Sequence, residues 1–169
     1  MPSPSSPPAT PAPTEAARRV VAVTTPVAAP GFDTTAIVYQ RRPQQLEHFA
    51  TARWVEPPAR MIAPLIVDAL QRGGAFAAVV PSSSGTRAEL RLDTELLRLQ
   101  QQFDAAPSRV RLTLRAVLVD VAARRVVASA EFDRSVDAAS DDPYGGVVAA
   151  QRALQQVLGE LAAFAAQRR

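Results

Sequence analysis

The stretch "FATARWVEPPARMIAPLIVDALQRGGAFAAVV", Phe49 to Val80, decides how the rest of the chain is read. It holds the only tryptophan, Trp54, two residues before Glu56-Pro57-Pro58, and the only histidine, His48, lies just upstream. Pro57 and Pro58 suit the first turn of a helix, where the missing N–H has no partner to lose. Glu56 is pushed toward extended backbone by the proline after it. Met61, Leu65, Asp68 and Ala69, with Ile62 and Ile66 beside them, recur at helical spacing, and Gly73-Gly74 is a stop signal. The spacing predicts a helix to about Arg72, with Pro64 either tolerated or kinking it, and then a strand, "AFAAVVP" (75–81).

Working outward, the N-terminal side divides at about Arg18. Residues 1–18 are rich in Pro, Ser and Ala: six of the thirteen residues 2–14 are Pro. Such a segment cannot bury a core and reads as an extended, disordered tether. Residues 19–169 read as one domain. "RRVVAV" (18–23) is a first strand, Pro26, Pro30 and Gly31 mark a loop, and "TTAIVYQRR" (34–42) and "QQLEHFA" (44–50) form a hairpin. Alternation in its second strand sets Leu46 and His48 against Gln45, Glu47 and Phe49.

On the C-terminal side the period is two. Leu90, Leu92, Thr94 and Leu96 alternate with charged residues, and then the parity flips to Leu97, Leu99 and Phe103. The flip predicts a bulged strand over 88–104. "RVRLTLRAVLVDV" (109–121) and "RRVVASAEFDRSVD" (124–137) read as a hairpin. The expected register sets Leu118 opposite Val126, Leu114 opposite Ala130 and Leu112 opposite Phe132. It also sets Arg111 opposite Asp133 and Thr113 opposite Glu131 on a polar outer face. "AASDDPYGG" (138–146) reads as a loop. Residues 147–169 read as a second amphipathic helix, with a stripe of Val147, Ala150, Leu154, Val157, Leu158, Leu161 and Phe164. Arg168 and Arg169 are placed in its last turn. The order β-β-β-α-β-β-β-β-α predicts an α+β two-layer sandwich, a mostly antiparallel sheet with two amphipathic helices on one face.

Composition narrows the function. All 19 basic residues are Arg, yet the net charge is only +3, so no dense basic stripe for nucleic acid is read. With no Cys and one His, disulfides, thiolate nucleophiles and most zinc sites are excluded, and neither metal nor cofactor is expected. No apolar run reaches the ~18 residues of a membrane span. The opening Met-Pro-Ser-Pro lacks the basic-then-apolar pattern of a signal peptide, so none is read there. Asp133, Asp137, Asp141 and Asp142 are the nearest approach to an acid cluster, and they lie at a strand end and in a polar loop. His48 has no nucleophile motif near it, and Ser82–Ser84 lack a G-x-S-x-G setting. Asp142-Pro143-Tyr144-Gly145-Gly146 is a turn whose open N–H groups would suit an anion. Trp54 reads as a packing cap between the first helix and the sheet, or as a ligand platform. No catalytic constellation assembles, and an enzyme is not expected.

The order of these motifs resembles the ABC-type transport auxiliary lipoproteins, the PqiC-like lipoproteins of MCE lipid-transport systems. The residues that carry the resemblance are Trp54, Pro57, Leu65, Leu70, Gly74, Phe76 and Val79 around the first helix. Val148, Ala150 and Leu154 carry it in the second, and it covers about Val20 to Phe164. It implies a periplasmic, noncatalytic docking or ring-forming component, anchored to the outer membrane through a lipidated Cys that these residues do not contain. Its partners would be an MCE-domain protein of an ABC lipid transporter and further copies of itself. Tyr39, Arg41, Arg53 and Tyr144 are the candidate interface residues. Two alternatives stay open. One is an envelope lipoprotein of similar fold serving a secretion or cell-wall complex. The other is a direct lipid carrier with an apolar cavity between helices and sheet, for which small residues such as Ala63, Ala69, Ala149 and Ala150 would leave room.

Overall fold

The computed structural model describes residues 18–168. The expected tether therefore lies outside the described residues except for Arg18. The elements are β1 (Val20–Val23), β2 (Val27–Ala28), β3 (Ala36–Arg42), β4 (Gln45–Arg53), α1 (Pro58–Gly73), β5 (Ala78–Pro81), β6 (Leu90–Gln102), β7 (Arg109–Asp120), β8 (Arg125–Asp137) and α2 (Pro143–Ala166). They form the two-layer α+β sandwich expected: one sheet of eight strands with both helices on one face.

β6 is the spine of the sheet. Along one side it pairs antiparallel with β7 over its whole length, and β7 in turn pairs with β8. Along the other side three short strands share it, all parallel: β1 at Leu90–Leu92, β2 at Glu95–Leu96 and β3 at Gln101–Gln102. β5 extends the sheet from β1, and β4 extends it from β3. β2 falls where a loop is expected. Two residues are too few for a period to show, and parallel pairing between distant segments leaves no local signal. The bulge expected in β6 is present, between Leu96 and Arg98.

The β7–β8 register differs from the expected one by two residues: Leu114 faces Phe132, Thr113 faces Asp133 and Arg115 faces Glu131. The turn closes on Asp120–Arg125, with Arg124 at φ 52°, and an irregularity follows between Leu118 and Val119. An even shift keeps every side chain on its predicted face. The helix-covered face carries Leu90, Leu92, Leu96, Leu112, Leu114, Ala116 and Leu118, all buried. The opposite face carries ion pairs. Arg115 lies between Glu95 and Glu131 at 3.3 and 3.4 Å, and Arg111 reaches Asp133 diagonally at 2.7 Å.

α1 begins and ends as its sequence requires. Pro57 is its N-cap, the Pro57 carbonyl accepts from Arg60 N–H at 2.9 Å, and Gly74 closes it in the left-handed region at φ 65°. Pro64 sits inside the helix on an exposed position. α2 begins four residues earlier than expected. Asp142 is its N-cap and Pro143 follows at the first helical position, a start signal hidden in a stretch read as a turn. α2 ends at Ala166, so Arg168 falls beyond the last turn, and Arg169 lies outside the described residues.

In each helix only part of the expected apolar stripe meets the sheet: Ile62 and Ile66 in α1, and Ala150, Val157 and Leu161 in α2. In α1 the core positions are Ala59, Ile62, Ile66 and Leu70, while Met61 is half-buried and Leu65 is 41% exposed. In α2 they are Ala149, Ala150, Ala153, Val157, Leu161 and Ala165, while Leu154 and Leu158 are half-buried. The helices therefore have more apolar surface than the sheet covers, and the surplus from each is turned toward the other. Among the described residues no helix is long and apolar enough to cross a membrane.

Candidate functional site

The surplus apolar rows of α1 and α2 line a groove. The two helices run side by side in the same direction. They meet closely at their C-terminal ends, where a Cβ on Gly73 would lie 3.9 Å from Ala162 Cβ. Toward the N-terminal ends they part. There a cavity of about 410 Å³ opens between Met61, Leu65, Ala150 and Leu154, with Leu99 and Leu112 of the sheet beneath. Arg53, Trp54 and Val55 form its rim. A second hollow of about 500 Å³ continues the groove past Leu65 and Leu154 to Arg72 and Ala162.

Trp54 sits where the sheet gives way to α1. Its backbone N–H donates to the Thr35 carbonyl at 2.7 Å, which fixes the chain as it leaves β4. Its half-buried ring packs against the small cluster of Val110, Ala138, Ala149 and Ala150. The tryptophan thus bears on the start of α2, and its other side faces the groove. Pro57 holds the helix start. Leu65, Ala150 and Leu154 are groove walls. Phe76 and Val79 are buried in the main core, and Gly74 is the left-handed cap. Of the small residues considered for a carrier, Ala150 lines the first hollow and Ala69 the second, while Ala149 is buried in packing.

The structure separates the candidate interface residues. Tyr39 and Arg41 belong to one patch at the β3–β4 end of the sheet. Tyr39 stacks on Phe49 at 4.5 Å, both rings meet Phe103, and the Arg41 guanidinium lies 5.4 Å from the Tyr39 ring. Arg53 is on the groove rim, and Tyr144, 77% exposed, stands on the first turn of α2. The Tyr39–Phe49–Phe103 cluster was not foreseen. Its signal was the scarcity of aromatics, three of which converge here.

Three of the four acids are committed to bonds of their own. Asp133 accepts from Arg111 and from the Thr113 hydroxyl, and the Arg111 hydrogen bonds hold its carboxyl below the usual carboxylate range. Asp141 accepts from the Ser108 N–H at 2.8 Å, and Asp142 accepts from the Gly145 N–H at 2.8 Å and the Ser140 hydroxyl at 2.7 Å. These bonds lower both carboxyls. Asp137 lies opposite Arg109 in the sheet register, but the Arg109 guanidinium pairs with Asp104 at 3.0 Å. Asp142 thus fills the α2 N-terminus that an anion would otherwise use. His48 is exposed on β4 opposite Val38. Among the described residues no group of three or more His, Asp or Glu is placed to hold a metal.

Beneath the α2 start lies a polar contact that the sequence did not announce. The Gln101 amide is buried and donates from Nε2 to Ser108 Oγ at 3.0 Å and to the Asp142 carbonyl at 3.1 Å. Gly146 lies directly over it, so near that a Cβ there would overlap Gln101 Oε1.

The fold is thus a forked sheet with both helices on one face and an open apolar groove between them. The chain belongs to the family of ABC-type transport auxiliary lipoprotein components, which matches residues 3–162. Its members are auxiliary parts of ABC transport systems and lipoproteins of the cell envelope. Among solved structures it is similar to protein XCC0632 of Xanthomonas campestris, at 26% identity and a TM-score of 0.82. That match covers 94% of this chain and 90% of that one. It is similar in fold to the PelC dodecamer of Paraburkholderia phytofirmans, at 17% identity and a TM-score of 0.53 over 90% and 92% of the two chains. Hypothetical protein CT253 of Chlamydia trachomatis shares the fold at 12% identity and a TM-score of 0.51, over 86% and 96%. No curated protein matches the chain.

Proposed function

We propose that this chain is a noncatalytic docking component of an MCE-type ABC system that moves lipids between membranes. It acts in the periplasm, held at the outer membrane by a lipidated Cys outside these residues. The observation that carries the reading is the pair of open borders on the sheet. β8 runs for 13 residues and, among the described residues, pairs only with β7, while β4 and β5 form the opposite border. An edge of that length is a template for pairing with another chain. Two different edges on one subunit suit a head-to-tail contact, which closes into a ring when the rotation allows. The PelC of similar fold is a dodecamer, which supports a homo-oligomer here. The Tyr39–Arg41 patch and exposed Tyr144 are then contact surface for a neighbouring copy or for the MCE-domain protein.

The test is the mass of the purified chain in solution by light scattering, alone and with its cognate MCE-domain protein. A discrete oligomer or a stoichiometric complex is expected. A strict monomer that ignores the MCE-domain protein would overturn the docking role.

A further inference from the structure

We propose that the groove between α1 and α2 is covered by this chain's own N-terminal segment, residues 7–13, "PPATPAP", laid along it as an extended strip. Where the described chain begins is the first argument for this occupant. The Arg18 guanidinium donates to the Gly74 carbonyl at 3.1 Å, and that of Arg19 donates to the Arg168 carbonyl at 3.3 Å. The chain therefore enters the domain beside the C-terminal ends of both helices. The hollow of about 500 Å³, lined by Arg72 and Ala162, begins at that end, and the hollow of about 410 Å³ continues it to Trp54. Seventeen residues precede Arg18.

Length and chemistry agree with that starting point. From Arg72 to Met61 the helix α1 advances about 17 Å, at 1.5 Å per residue. Proline-rich chain advances about 3.1 Å per residue, so residues 7–13 span about 19 Å. Thr14 to Ala17 bridge the gap to Arg18, and Pro7 and Pro8 then reach Trp54 at the far end. Four of the seven residues are Pro, which has no N–H to leave unpaired against an apolar wall, and none is charged. Trp54 supplies the aromatic face on which proline-rich segments dock. Gln151, on the wall of both hollows, and Gln155, on the second, are exposed and carry amide donors for the segment's carbonyls. Attachment decides against rival occupants. A short link holds the segment at an effective concentration on the order of millimolar. At equal intrinsic affinity it outcompetes a second copy or a partner helix present at micromolar concentration by about a thousandfold.

Trp54 is the only tryptophan, so its emission reports the far end of the groove. In the full chain, Pro7→Ser, Pro8→Ser, Pro11→Ser and Pro13→Ser are made together. The Trp54 emission of this four-Ser chain is expected to shift to the red and its quenching by acrylamide to rise, with mass and circular dichroism unchanged. A free peptide of residues 2–14, added at about 1 mM to match the effective concentration, is expected to restore the native emission. Ala69 lines the second hollow and not the first. Ala69→Glu is therefore expected to shift Trp54 emission only through the segment: to the red in the native chain, and no further in the four-Ser chain. Equal emission and quenching in the native and four-Ser chains overturns the inference, as does a shifted emission that the peptide leaves unrestored. So does a native emission that changes with chain concentration in step with mass, since a second copy would then cover the groove. The inference does not depend on the docking role: complex formation is read as mass, and segment docking as Trp54 emission at constant mass, so either can fail alone.

Discussion

Replacing Gly146 with alanine tests the packing beneath the start of α2. The new Cβ would overlap Gln101 Oε1 and lie 2.8 Å from its Cδ. Gln101 is 2% exposed, so it has no free space into which to swing. Moving it breaks its bonds to Ser108 Oγ and to the Asp142 carbonyl. Two neutral hydrogen bonds contribute about 1 kcal/mol each, and a buried amide left unpaired costs a further ~1–3 kcal/mol. Alanine returns up to ~1 kcal/mol through its helix propensity. The net is a loss of about 2–4 kcal/mol, or roughly 4–16 °C in Tm for a domain of this size. Urea unfolding followed by circular dichroism measures it, with the slope expected to stay constant. Gly159→Ala is the internal control: it lies on the same helix, exposed, with no atom within 4 Å of the added Cβ, and it is expected to stabilise by up to ~1 kcal/mol. In a Gln101→Ala background, Gly146→Ala is expected to cost at least ~1 kcal/mol less than it does alone. A Gly146→Ala domain as stable as the native one, or a purely additive double mutant, would refute the reasoning.

Asp142→Ala removes the N-cap of α2 and is expected to cost about 1 kcal/mol by urea unfolding, whereas Asp68→Ala, in an exposed pair with Arg72, is expected to cost under ~0.5 kcal/mol. Ile66→Ala, at a fully buried α1 position, is expected to cost about 2–5 kcal/mol, and Leu65→Ala one residue away under ~1.5 kcal/mol; equal losses would contradict the observed rotation of the helix. Asp133, Asp141 and Asp142 all have folded-state carboxyls below their unfolded value of about 3.9. Their contribution is present above that value and is lost as pH falls through the folded values, so the urea midpoint is expected to hold level above about pH 5 and to drop below about pH 4. Asp133→Asn is expected to blunt that drop, and a midpoint that rises on acidification would reverse the sign of the argument.

Much of the fold was legible because its signals are local. Pro57-Pro58 and Gly73-Gly74 bracket α1, the parity flip after Leu96 marks the bulge, and alternation assigns the faces of β7 and β8. What was not legible depends on geometry that no short window contains. The β7–β8 register turns on an irregularity at Leu118–Val119, and β2 exists only because β6 lies beside it. The start of α2 was written in Asp142-Pro143, but the Asp-Pro-Tyr-Gly-Gly run reads equally well as a turn, and only the burial of Gly145 and Gly146 separates the two. The candidate site was half visible. Trp54, Leu65, Ala150 and Leu154 were picked out as a pattern, yet Met61 and Leu65 were assigned to the stripe that meets the sheet. A helical period locates an apolar stripe without saying which of two adjacent rows faces the core.

That ambiguity bears on function. If the Met61–Leu65 row faced the sheet, Ile62, Ile66 and Leu70 would lie at the surface, and a larger apolar area would be left uncovered. With Ile62, Ile66 and Leu70 in the core instead, Leu65 is left 41% exposed and Val55 93% exposed at the groove rim. Exposed apolar surface of this kind opposes solubility unless something covers it. Trp54 covers part of it and fixes the beginning of both helices at once. The residues that make the fold recognisable are therefore the residues that shape the groove, and a substitution at Trp54 is expected to disturb the packing of the α2 start and the groove wall together.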